Sequence, residues 1–368
     1  MNLSIRKRMF SIVTALTIPL CIFAYFLVQV GQGNIDFATQ EQHGLELQKP
    51  LTKLLASVEQ HKIDADTTAN IAELEKIYAK YGAEIGFVGD WAVAMNGAIA
   101  DLKNISVKTP KEQEDIATTI KALIVRTSDG SKLTLDPDLD SYYVMDALSF
   151  AIPNNIHNLS YSKKLISGIG TEVSATDYAK LQTAKHILIE DDAARIIGSL
   201  STALAEDANF YDKSPSLAQI VPLMEEYKKK SAELEQLIEE VSNHGAVSEE
   251  KINRSFDAVN IALMTLWQAS HSELKALLQI RKEDLSADIV LLLLQGFAAV
   301  VIGFAVFWVI SGSIVKPLNK LREVMKNLAQ GDLKTAIPYT NQTDEIGQMA
   351  GAVVIFKENA ENCRSFCN

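Results

Sequence analysis

Cysteine is nearly absent: the 368-residue chain holds three, Cys21, Cys363 and Cys367, and none lies between residues 31 and 288. That excludes a disulfide scaffold. Proline is also scarce, falling within that stretch at positions 50, 110, 137, 153, 215 and 222. The proline-free runs at 51–109, 154–214 and 223–288 suit long helices, because a proline in a helix interior removes a hydrogen bond and clashes with the preceding turn. No run alternates apolar and polar residues between turn signals, so a β-sheet is not expected. The chain carries no Gly-rich nucleotide loop, no nucleophile elbow and no His/Cys metal spacing, so neither enzymatic activity, a cofactor nor a bound metal is expected. Basic residues are outnumbered, 35 to 46 overall, and residues 31–288 alone hold 25 Lys and Arg against 40 Asp and Glu. Phosphate backbones need clustered Lys and Arg, so nucleic acid is excluded as a partner.

Two long uncharged runs are present. Residues 9–30 and 289–310 carry no charged side chain, and each is long enough, at 1.5 Å per helical residue, to cross a hydrocarbon core of about 30 Å. The first exceeds the apolar stretch of a signal peptide, and no small-residue cleavage pattern follows Val30. Arg6, Lys7 and Arg8 precede the first run, while Lys316, Lys320 and Arg322 follow the second. The positive-inside rule then places both ends in the cytoplasm and residues 31–288 outside it. The domain plan is a cytoplasmic N-terminus (1–8), a span (9–30), an extracytoplasmic domain (31–288), a second span (289–310), a cytoplasmic module (311–362) and a short tail (363–368).

Helical spacing runs through the outer domain at Leu47, Leu51, Leu54 and Val58, then at Ile71, Leu74, Tyr78, Tyr81, Ile85 and Val88, then at Ile252, Phe256, Val259, Leu263 and Leu266. The 3-4 alternation is that of bundle seams. The expected fold is therefore all-α, and the length of the outer domain suits two four-helix bundles stacked end to end.

The segment Leu135 to Asp146 is dense in acids and tyrosines. Asp136 suits an N-cap, Pro137 the first helical position, and Asp138 and Asp140 the positive end of a helix dipole. Those roles leave Tyr142, Tyr143 and Asp146 unexplained. Asp138, Tyr142 and Asp146 are spaced four apart and share a face, which makes Asp138, Tyr142, Tyr143 and Asp146 candidate ligand contacts. The run of acids imitates the start of a calcium loop, but Ser141 stands where glycine is required and Ala147 where the last acid belongs. The outer domain has four arginines. Arg281 lies close to the second span, leaving Arg126, Arg195 and Arg254 as candidates for pairing with an organic anion.

Beyond the second span, Ile314, Leu318, Leu321, Met325 and Leu328 form a 4-3-4-3 series that stops at Gly331. A connector bearing Leu333, Ile337 and Pro338 leads to a second series at Ile346, Met349, Val353, Phe356 and Ala360. Neither helix buries its stripe alone, so the expectation is a parallel four-helix coil made by a homodimer.

Lys316-Pro317-Leu318, the run from Leu328 to Leu333 and Asp344-Glu345-Ile346-Gly347 resemble a HAMP domain, a signal converter of bacterial receptors. Its matching positions include Pro317, Leu321, Gly331, Asp344, Glu345 and Ile346. The ending Phe356 to Ala360 resembles HAMP domains of methyl-accepting chemotaxis proteins. Ile35 to Ala38, Glu41, Gly44, Lys49-Pro50-Leu51 and the Asp136 to Asp146 segment resemble helical bimodular sensor regions of those receptors. The resemblance implies an inner-membrane receptor that detects a small solute or a ligand-loaded periplasmic protein, read here as cut short before its signalling module. A histidine kinase or diguanylate cyclase receptor, or a non-signalling partner in mixed dimers with full-length receptors, shares the same features. His271 to Lys275 imitates a kinase phosphoacceptor start but lacks the following proline and lies outside. Cys363 and Cys367, four apart, have no assigned role.

Overall fold

The computed structural model describes residues 5–210, 214 and 216–366. Among them the elements are all helical, with no strand. The order is α1 (Ile5–Glu59), α2 (Ala65–Tyr81), α3 (Asp90–Lys103), α4 (Pro110–Gly130), α5 (Leu139–Asp146), α6 (Ile152–Ser167), α7 (Ala175–Lys185), α8 (Ala194–Glu206), α9 (Val221–His244), α10 (Glu249–Ala329) and α11 (Glu345–Phe366). The chain separates into two compact units, one formed by Gln32–Ser286 and the other by the chain on either side of it.

Local sequence explains most of the helix starts. Asp64 and Thr67 form a reciprocal cap on α2, the Thr67 amide donating to Asp64 Oδ1 at 3.0 Å and the Asp64 amide to Thr67 Oγ1 at 3.2 Å. Thr109 and Glu112 repeat the device on α4, with Pro110 following the cap. Ser174 caps α7 through the Asp177 amide.

Proline punctuates less than its chemistry suggests. The long helix α1 runs through Pro19 and Pro50, and α10 runs through Pro317. A lost hydrogen bond within a helix held by tertiary packing over many turns does not end it. Pro153 is absorbed differently: a π-helical turn at Ala147–Ala151 joins α5 to α6 just before it, so the hydrogen-bond ladder is already shifted where proline cannot donate. A second π segment, His186–Ala193, joins α7 to α8. The reverse error falls at 51–109, where the proline-free run is not one helix. It breaks after Glu59, Tyr81 and Lys103; in the second break Gly86 and Gly89 take positive φ, and Val88 is 62% exposed rather than in the seam.

In the unit Gln32–Ser286 the buried apolar residues form one continuous cluster with contributions from α1 through α10. Leu47, Leu51, Leu54 and Val58 are buried, as are Ile252, Phe256, Val259, Leu263 and Leu266. Helix α5 packs on α8, α7 on α9 and α3 on α4.

In the other unit, the apolar runs of α1 and α10 have mean hydropathies of 2.2 and 2.7 over their best windows, with none of either window buried. Both helices are long and apolar enough to cross a membrane. Phe10 and Phe307 meet edge to face there at 6.1 Å.

One glycine shows how tightly α4 is seated. A Cβ at Gly130 would lie 1.9 Å from the carbonyl oxygen of Ile85. Backbone cannot step aside as a side chain can. Gly130→Ala should destabilise the chain by about 1–3 kcal/mol, read as a lowered thermal midpoint of the detergent-solubilised protein, whereas Gly97→Ala, with open space around its Cβ position, should not. Equal midpoints for the two variants would contradict this packing.

Candidate functional site

The acid-rich segment is positioned by the 3-10 turn Leu133–Leu135, after which the chain enters α5 at Leu139. Asp138, not Asp136, occupies the N-cap position, and it makes no side-chain cap bond. The Asp136 carboxylate instead accepts from the Asp138 amide at 3.0 Å and reaches across to α10. Pro137 therefore precedes the helix rather than starting it.

Arg281 is the centre of this arrangement and is 3% exposed. Its Nη1 donates to Glu41 Oε2 of α1 at 2.7 Å, its Nε to Asp138 Oδ2 at 2.5 Å, and its Nη2 to Asp136 Oδ1 and, at 2.8 Å, to Ser141 Oγ. Closeness to the span had set this arginine aside in the sequence; in the structure it ties α1 and α10 to the start of α5. Burial alone would lower its pKa, but Asp136, Glu41 and Asp138 outweigh that and hold it above the ordinary arginine value. Burial pushes the Asp140 carboxyl up to about 6, against an opposing hydrogen bond from the Ser141 amide. A pocket of about 360 Å³ adjoins the cluster, lined by Asn34, Phe37, Leu135, Pro137, Arg281 and Leu285.

The remaining candidates separate into distinct settings. Asp146 accepts from Arg195 Nη2 at 2.6 Å and from Ser199 Oγ at 2.8 Å, and the hydrogen bond that Arg195 donates to Asp146 raises the Arg195 pKa. Tyr142, one turn before Asp146, packs edge to face on Tyr143 at 5.5 Å. Asp146, Tyr142, Tyr143 and Arg195 thus come together on α5 and α8, while Asp138 turns to α10. Arg126 closes the loop after α2, donating to the Gly86 carbonyl at 2.7 Å and lying over Trp91. Arg254 is exposed and pairs with Glu250 one turn earlier on its own helix.

Two features carry no sequence signal. Asn155, Asn158, Asp192 and Tyr227 form an interior network, in which both asparagines donate to Asp192 Oδ2 and Tyr227 donates to Asn155 Oδ1 at 3.0 Å. A cleft of about 400 Å³ on α1, α2 and α10 is lined by Glu46, Lys49, Lys53, Glu73, Trp267 and His271, among others, with Lys275 also at its edge. His271 Nε2 donates to the Leu45 carbonyl at 3.1 Å, and burial lowers its pKa to about 4. It is a buried neutral residue in this fold. Among the described residues no group of three or more His, Cys, Asp or Glu is arranged to hold a metal ion.

In the other unit, the last turn of α10 closes at Gly331, whose φ of 91° few side chains tolerate. The Asp332 amide returns to the Asn327 carbonyl at 3.1 Å and the Gly331 amide to Leu328 at 3.0 Å. Asp344 caps α11 through the Gly347 amide at 3.0 Å, and Glu345 follows in the first turn. Leu321 packs with Ile346 and Ala350, and Leu328 with Val324 and Val353, while Ile337 of the connector covers both groups and Leu333 the second. Pro317 lies inside α10, one turn before Leu321. The side chains of Cys363 and Cys367 lie outside the described residues.

Removing Arg281 would strand the Asp136 and Asp138 carboxylates in the interior. Arg281→Met should cost about 3–5 kcal/mol, as for other buried pairs broken on one side, and Asp136→Asn in the same chain should restore part of it, a non-additivity measured in a double-mutant cycle by thermal melting. Additive losses would mean that the two groups act independently.

Residues 309–362 match the HAMP domain family. The chain is also similar to the probable chemoreceptor y4sI of Sinorhizobium fredii, 36% identical over 63 residues, which are 17% of this chain and 8% of that protein. The match thus spans a small part of the relative's length. No solved structure matches the chain. The helix pair α10 and α11, with its capped connector, is accordingly a HAMP domain, carried by an all-helical chain with two helices suited to span a membrane and with partial similarity to a bacterial chemoreceptor.

Proposed function

We propose that the chain is the sensing and membrane-spanning part of a chemotaxis-type receptor of the bacterial inner membrane, with both flanks cytoplasmic and residues 31–288 outside. The observation that carries this reading is the HAMP domain at residues 309–362 on the same helix as the second apolar run. The helices α1 and α10 each combine a span with a wall of the outer domain. A solute bound between them would shift one against the other, and HAMP would receive that shift.

A small extracytoplasmic solute is the proposed input. The cleft beside Trp267 is of ligand size and has three lysines, Lys49, Lys53 and Lys275, in a domain that is otherwise strongly acidic. Lys49 and Lys275 face Glu73 and Glu46 only at 3.8 and 3.5 Å. Such a lining suits an anionic solute. In a thermal-shift screen of small carboxylic acids against the purified chain, the stabilising compound should bind Lys53→Met and Lys275→Met about tenfold more weakly. Unchanged affinity in both variants would place the solute elsewhere, with Asp146 and Arg195 next to be changed.

A homodimer is the proposed assembly. Ile314, Met325, Met349 and Phe356 are between 37% and 48% exposed, which leaves an apolar stripe uncovered beside the buried Leu321 and Ile346. A second copy would cover it. Leu321→Asp should lower crosslinking between copies in membranes, because the new charge is left unpaired in a packed seam. Parent-level crosslinking would overturn the parallel-coil arrangement.

A further inference from the structure

Four acids meet one cation in the interior of the outer domain. Glu41, Asp136 and Asp138 all bond to Arg281, and Asp140 lies in the first turn of the adjoining helix, itself 3% exposed. With every group ionised, the cluster would hold three more negative charges than positive. An uncompensated charge in a buried site is so costly that the group takes up a proton instead.

Geometry selects the group. Glu41 is fully buried, and only Oε2 of its carboxyl meets Arg281; Oε1 has no hydrogen-bond partner. The second oxygen of Asp136, Oδ2, is likewise buried and unpartnered. Two neighbouring carboxyls thus each present a free oxygen inside the same cluster. The carboxylates of Glu41, Asp136 and Asp138 converge on the one guanidinium. Burial first, and then the charge of Asp136, push the Glu41 carboxyl up to about 9.

We propose that this cluster is a proton-binding site, with Glu41 carrying the proton, and that loss of the proton loosens the contact between α1 and the loop that leads into α5. The charged groups facing Glu41 are Arg281 from α10 and Asp136 and Asp138 from the loop and start of α5. Asp140 adds charge from the first turn of α5, whereas Lys282 is engaged by Gln42 and Lys132 lies over Phe37. With the proton bound, Arg281 balances part of the remaining charge, and the helices stay clamped. Without it, Glu41 and Asp136 repel across the contact between α1 and the loop that leads into α5. The external proton is thereby an input to the outer domain, distinct from any solute and independent of the solute reading.

The direction of the pH effect follows from linkage. The unfolded Glu41 ionises near its ordinary 4.5 and the folded one near 9, so between those values the folded chain holds a proton that the unfolded chain has lost. Stability then falls as pH rises through that window and levels above it.

The experiment uses the whole chain in lipid nanodiscs. Infrared spectra of the parent at neutral pH should show the carbonyl band of a protonated carboxyl, which disappears on titration to about pH 10. The band should be lost in Glu41→Gln and kept in Asp140→Asn. Amide hydrogen exchange in α5, after division by the intrinsic rate, should speed up roughly a hundredfold between about pH 7 and pH 10 in the parent and stay flat in Glu41→Gln. A parent with no such band at neutral pH overturns the proposal, as does a band unchanged in Glu41→Gln or an equal exchange slope in both chains. Should Glu41→Gln fail to fold, Asp136→Asn must shift the band's titration midpoint downward, by removing the neighbouring charge; an unmoved midpoint rejects the assignment to Glu41.

Discussion

A single guanidinium holds together the unit Gln32–Ser286 where α1, α5 and α10 meet. Arg281 stands on the helix that also carries the second apolar run, and its partners come from the other long helix and from the turn that starts α5. Apolar packing gives these helices their cohesion but says little about their relative height, because a leucine stripe can slide by a turn at small cost. Directional bonds from a planar fork to three carboxylates cannot slide in that way. Register between α1 and α10 is therefore held by polar geometry inside an apolar core.

That arrangement also explains the composition of the acid-rich segment. Asp136 and Asp138 compensate Arg281, Ser141 accepts its last donor, and Asp146 turns the other way to Arg195 and Ser199. The short helix α5 is thus a cross-piece with ionic attachments at both ends. Tyr142 and Tyr143 fill the interval between those attachments, half-buried against the core.

Much of the architecture was legible in the sequence. The seams at Leu47 to Val58 and Ile252 to Leu266 are buried, because an amphipathic repeat over several turns leaves no other way to remove that surface from water. Gly331 and Asp344 bound the HAMP connector through chemistry that one residue determines alone. Arg281 was not legible, since its meaning depends on Glu41 and Asp136, which lie far from it along the chain and meet it only after folding. Nothing in the residues near Arg281 marks it as buried. Asn155, Asp192 and Tyr227 were hidden for the same reason, and Pro50 misled because a local penalty was outweighed by packing over the whole helix.

The two π segments have a consequence for how the rods distribute their side chains. A π turn holds one residue more than an α turn, so the helix beyond it is rotated by about 100° relative to an uninterrupted one. Each rod therefore presents two independently chosen faces to one core. Along α5 and α6, Asp138 and Ser141 point to the Arg281 cluster before the π turn, and Asn155 points into the network of Asp192, Asn158 and Tyr227 after it. Along α7 and α8, Asp192 joins that network from within the π segment, while Arg195 and Ser199 just beyond it grip α5. Deleting one residue from either segment would restore an ordinary helix and carry every later side chain around its circumference. These turns act as angular adaptors, allowing one end of the bundle to change its polar chemistry without re-aiming the other.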